Sequence, residues 1–152
     1  MKKPSTVTIA YAILLFSCLF QYTWGTESNI HIAAGEGDTE TIRTLIAEGI
    51  DLDEKIPGGW TAMMICAKYG NVDIMEMLLR AKADVNATND RGNSALMVAV
   101  TAQRVQAVKM LLANNANVQI KNKAGMDAIE IARVMGHAEL LDLLEKYQTP
   151  KG

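Results

Sequence analysis

Few residues in this chain are of a kind that could carry chemistry. There are two histidines, His31 and His137, and two cysteines, Cys18 and Cys66. A zinc protease needs two histidines on one helical turn around a glutamate. A structural zinc site needs closely paired cysteines, a serine hydrolase a serine on a glycine-flanked turn, and a phosphate loop a glycine run ending in lysine. None of these patterns occurs. Cys66 stands in a slot that Ala33, Ala99 and Ala132 fill at a regular step, so it reads as a small buried hydrophobe and not a nucleophile. Asp51, Asp84 and Asn117 keep the same step, which makes them repeating architecture and not a metal cluster. Both histidines read as structural. The sequence therefore predicts no catalytic residue, no metal, no cofactor and no enzyme.

That step is 33 residues, and it organises the chain. Gly59, Gly92 and Gly125 follow it, as do Ile30, Met63, Leu96 and Ile129, and Leu45, Leu78, Leu111 and Leu144. Gly37, Gly70 and Gly136 follow it too, with Gln103 in the remaining slot. A period of this size predicts a stacked solenoid. In one unit, Thr61 can cap a short apolar helix that ends at Gly70. A second helix follows, with Ile74, Met75, Leu78 and Leu79 at helical spacing. Helices this short are not stable alone in water and must bury their faces on the next copy.

The unit resembles the ankyrin repeat over roughly residues 28–147. The family's Gly-x-Thr-Pro-Leu-His opening is matched by Gly59-Trp60-Thr61-Ala62-Met63-Met64, Gly92-Asn93-Ser94-Ala95-Leu96-Met97 and Gly125-Met126-Asp127-Ala128-Ile129-Glu130. Proline is replaced by alanine throughout, and histidine by Met64, Met97 and Glu130; His31 alone keeps the family position. The glycine after the second helix is kept as Gly49 but becomes Lys82 and Asn115. The resemblance implies an all-α solenoid of four stacked helix-turn-helix repeats joined by β-turn loops. The repeats are expected at about 28–55, 56–88, 89–121 and 122–147, the first and last as caps, with a frayed tail at 148–152.

Residues 1–25 read as a secretory leader, leaving a domain over 26–147. Lys2 and Lys3 precede an apolar run from Val7 to Phe20, and Thr23-Trp24-Gly25 offers small residues for cleavage before Thr26. The run is shorter than the about 20 residues of a spanning helix. Two other readings stand beside cleavage. An uncleaved anchor would place Phe20, Tyr22 and Trp24 at a membrane interface, and Leu15-Phe16-Ser17-Cys18 weakly resembles a bacterial lipobox. The short Lys-led start looks bacterial, which puts the expected location in the periplasm or outside the cell, or at the membrane if the leader stays. The whole chain has a formal net charge of −2. Removing Lys2 and Lys3 with the leader makes the rest more acidic, which argues against nucleic acid as a partner.

In the ankyrin family partners bind at turn tips and first helices. Carried over by position, the resemblance marks Trp60, Lys68 and Tyr69 in the second copy, Asp90, Arg91 and Asn93 in the third, and Met126, Val134 and Met135 in the fourth. Trp, Tyr and Arg are the usual interface anchors. Met126, Val134 and Met135 would form an apolar patch at the other end. The expected function is an exported, monomeric module that binds another protein on its concave face, with no small-molecule substrate. An inhibitor, immunity partner or accessory subunit fits that description. A membrane-tethered scaffold and a secreted effector of a host protein are the alternatives.

Overall fold

The structure is a computed structural model in which residues 29–148 are described. Among the described residues eight α-helices run in four pairs: α1 (Asn29–Glu36) and α2 (Thr39–Ala47), α3 (Ala62–Tyr69) and α4 (Val72–Arg80), α5 (Ala95–Thr101) and α6 (Val105–Ala113), α7 (Ala128–Met135) and α8 (Ala138–Gln148). α8 runs through Gln148, the first residue of the expected tail. The leader and residues 149–152 lie outside the described residues. Among the described residues the β pairing consists of two isolated bridges, Ile56 with Trp60 and Thr88 with Ser94.

The first helices α1, α3, α5 and α7 pack in one row, and the second helices α2, α4, α6 and α8 in another. Between the rows lies one continuous core, with Ile30, Ile42, Met63, Ile74, Leu78, Leu96, Leu111 and Leu144 fully enclosed. Fully burying side chains of this size stabilises the fold by about 1.5–3 kcal/mol each. Met64 and Met97, in the family's histidine slots, are also enclosed. Losing the histidines does not cost the caps: Thr61 Oγ1 accepts from Met64 N, Ser94 Oγ from Met97 N, and Asp127 Oδ1 from Glu130 N. At the far end Glu145 occupies a slot that is apolar in other copies, and it is exposed, 3.5 Å from Arg133. A polar outer face suits a terminal repeat.

The period-33 positions keep their backbone conformation even where glycine is lost. Gln103 has φ 56°, Lys82 φ 72° and Asn115 φ 63°, each in the left-handed region that glycine occupies in the sister copies. The solenoid imposes this geometry at a cost of about 1–2 kcal/mol per side chain.

Successive copies are tied together at three levels. At the turn tips, Asp90 N donates to Gly58 O and Lys123 N to Arg91 O. The tips approach closely: a Cβ on Gly59 would lie 2.6 Å from Asp90 N, so glycine is needed there for space as well as for its φ of +75°. At the start of the second helices, one position reaches back to the previous copy each time. Asn71 Nδ2 donates to Ala34 O at 2.7 Å, Arg104 Nε to Lys68 O at 3.1 Å, and His137 Nδ1 meets Gln103 Nε2 at 2.9 Å. In the loops after the second helices, Asp53 Oδ1 accepts from Asp84 N and Asn86 Oδ1 from Asn117 N. The recurring Asp51, Asp84 and Asn117 each close their own turn, accepting from Asp53 N, Asn86 N and Gln119 N. They are architecture, as their period implies.

Asn89 and Asn122 set the tips themselves, and sequence reading passed over them. Asn89 is 6% exposed, and its Oδ1 accepts from Arg91 N and Asn93 N. Asn122 Oδ1 does the same for Ala124 N and Met126 N. Asn89→Ala is expected to cost about 1–3 kcal/mol, because two backbone donors lose their acceptor at once. Chemical denaturation of the variant measures this, and an unchanged midpoint would show that the tip holds without it.

Candidate protein-binding face

The turn tips and first helices meet in an open groove of about 620 Å³ between α1 and α3. Its apolar lining comes from Ile32, Ile56, Trp60, Ile65 and Tyr69, with Lys68 and Glu36 at its edge. Ile32 and Tyr69 are large apolar side chains left about half in water, at 46% and 52% exposure. Lys68 Nζ stands 5.8 Å from the Trp60 ring centre and 5.3 Å from that of Tyr69, so one ammonium lies over two π faces. Gly35 borders the groove: a Cβ there would face Ile65 Cγ2 at 3.6 Å and Tyr69 Cε2 at 3.9 Å.

This chain belongs to the ankyrin-repeat family. The model described as ankyrin repeats (3 copies) matches it three times, over residues 13–89, 30–122 and 81–151. No curated protein matches the chain. Ankyrin repeats are protein–protein interaction modules and generally non-enzymatic.

The structure sorts the residues that the resemblance marked. Trp60, Lys68 and Tyr69 come together in the groove. Trp60 needs a correction: it is not a free turn-tip side chain. It is half-buried against the core, its ring beside Gly58, so it serves the fold as well as the face. Asp90 and Arg91 are exposed on the next tip. Asn93 is half-buried, and its Oδ1 accepts from Asn122 Nδ2 at 2.9 Å, which makes it a tie between tips. Met126 is corrected as well: its chain packs on the core instead of facing water. Val134 and Met135 are exposed, at 69% and 46%, so the apolar patch of the last copy shrinks to the end of α7.

The groove residues that sequence reading missed are Ile32, Ile56 and Ile65. Ile32 and Ile65 share a period-33 slot with Val98 and Ile131, and those two are buried. Recurrence therefore marks the slot as core. Only the packing shows that the first two copies leave it open to the groove.

The titratable groups behave as parts of a scaffold. His31 Nε2 pairs with Glu54 O at 3.0 Å, linking the first helix to the first turn. Asp38 caps α2, and the hydrogen bonds it accepts from the Thr41 side chain and backbone hold its carboxyl below the usual range. Burial pushes the Cys66 thiol up to about 12. A thiol held protonated in the native state is expected to resist iodoacetamide at pH 8 until the domain is unfolded in urea. Its contribution to stability is complete below about pH 9, the unfolded value, and fades as pH rises toward 12. Rapid native alkylation at Cys66 would overturn this reading. Among the described residues no group of three or more His, Cys, Asp or Glu is placed to hold a metal ion.

Proposed function

We propose that this chain is an exported protein that binds one other protein across its turn tips and first helices, as an inhibitor, immunity partner or accessory subunit. The observation that carries the binding reading is the groove of Ile32, Trp60, Ile65 and Tyr69: aromatic and aliphatic side chains lining an open surface groove, with Ile32 and Tyr69 about half in water. Patches of this kind mark interaction sites, and Trp and Tyr are the side chains that most often carry interface energy. Export is supported by Lys2 and Lys3, the short apolar run and the small residues of Thr23-Trp24-Gly25. The mature protein is expected to begin at or near Thr26 and to act in the periplasm or outside the cell as a monomer.

Photo-crosslinking in the native host tests the face. A crosslinking amino acid at Ile32 is expected to trap one discrete protein partner, and the same probe at Glu76 on α4 to trap none. Equal adducts from both positions would move the interface off the groove. N-terminal sequencing of the exported protein tests the leader, and Met1 still attached would overturn cleavage.

A further inference from the structure

We propose that the groove between α1 and α3 takes an apolar side chain from a protein segment that is acidic on one side of that anchor, the acidic side running over the tips of the third and fourth copies. This rests on the reading of the face as a protein-binding surface and adds the chemistry of what binds there.

The anchor follows from the groove. A floor of Ile32 and Ile65 walled by the Trp60 and Tyr69 rings has little to offer a polar group and suits an aromatic or branched aliphatic side chain. The acidic side follows from where the unpaired cations stand. Lys68, Arg91 and Lys123 lie in successive copies along the turn-tip face, exposed and without an ion pair among the described residues. Arg43, Arg80, Arg133 and Lys146 are each held by a carboxylate of a nearby residue, whereas Lys55, Lys82, Arg104, Lys109 and Lys121 are exposed and, like the three on the face, have no ion pair among the described residues. Three exposed cations in successive copies of one face are complementary to carboxylates arriving from outside, Lys68 also resting over the Trp60 and Tyr69 rings.

The direction follows from the other groove edge. Glu36 sits in the first copy, so carboxylates continuing that way would meet a like charge. Asp90, set among the tip cations, and the apolar groove both disfavour a phosphate surface, for which an unbroken basic strip is the usual requirement.

The test is a random-peptide display library panned against the full chain, followed by affinity measurement of the best synthetic peptide. Enriched peptides are expected to carry one aromatic or branched apolar residue with aspartate or glutamate on one side of it. Lys68→Glu is expected to weaken that peptide about tenfold or more, and higher salt to weaken it further, as a charge pairing demands. Gly35→Leu is expected to block binding by filling the groove: Gly35 lacks a left-handed φ and a Cβ there meets only ordinary contacts, so the backbone takes a side chain without strain. Tyr69→Ala is the second variant should Gly35→Leu melt early, and Glu76→Lys on the back is the control expected to change nothing. Neutral or basic peptides that are lost in Gly35→Leu but indifferent to Lys68→Glu overturn the acidic partner and leave the binding face standing. Peptides indifferent to both, no enriched peptide, or binding only to phosphatidylglycerol vesicles overturn both.

Discussion

Leu111→Ala lowers the stability of the domain by about 2–5 kcal/mol, the range for deleting a fully buried leucine. Leu111 has no exposed surface and sits on α6, which packs on its partner helix α5 and on both neighbouring second helices, α4 and α8. Alanine there leaves a cavity that two copies must share. The surrounding side chains cannot close it without giving up contacts of their own, because α6 is braced on three sides. In a solenoid each copy is held only by its neighbours, so the damage has a direction. The fourth copy has the third as its neighbour, whereas the first and second copies still hold each other through α1 and α3 and through α2 and α4. Amides of α7 and α8 are therefore expected to exchange hydrogen faster than those of α1 to α4. A denaturation midpoint equal to wild type would show that the joint between the second and fourth copies does not pass through Leu111.

Tyr69→Ala weakens binding of the partner by about 2 kcal/mol or more, the size expected of an interface hot spot, while leaving stability nearly unchanged. The argument is one of exposure. Tyr69 is the last residue of α3, with 52% of its surface in water, so truncation removes little packing from the folded state. What it removes is one wall of the groove and one of the two rings under Lys68. Trp60→Ala is a less clean probe: its side chain packs on the core, so the variant is expected to lose both stability and affinity. Thermal melting alongside calorimetric titration separates the two. If Tyr69→Ala melted early and bound normally, the ring would be a packing residue and the interface would lie on another face.

Much of this was legible from one number. A step of 33 residues fixed the copy count, the pairing of helices, and the core positions Met63, Leu96 and Ile129 and Leu78, Leu111 and Leu144, because a stacked copy can bury its face only if the apolar residues return in phase. It also identified the structural role of Asp51, Asp84 and Asn117, and of Cys66, since a slot that repeats belongs to the repeat. The family likeness marked Lys68 and Tyr69, and the fold leaves both exposed beside one groove.

What the period could not determine is how far each side chain on that face reaches into water. Trp60, Asn93 and Met126 occupy equivalent positions, and all three were marked as face residues. In the fold Trp60 turns onto the core beside Gly58, Asn93 is held by Asn122, and Met126 packs inward. A sequence position fixes where a Cα lies in the repeat, but the side chain chooses its rotamer against neighbours one copy away. The groove is the same lesson in reverse. Ile32 and Ile65 repeat with Val98 and Ile131 and so look like core, yet they line the groove while Val98 and Ile131 are buried. The sequence by itself determined the solenoid and its joints, because those depend on a pattern that recurs. The tertiary structure alone decided which of the recurring side chains another protein can touch, because that depends on what stands beside them in the neighbouring copy.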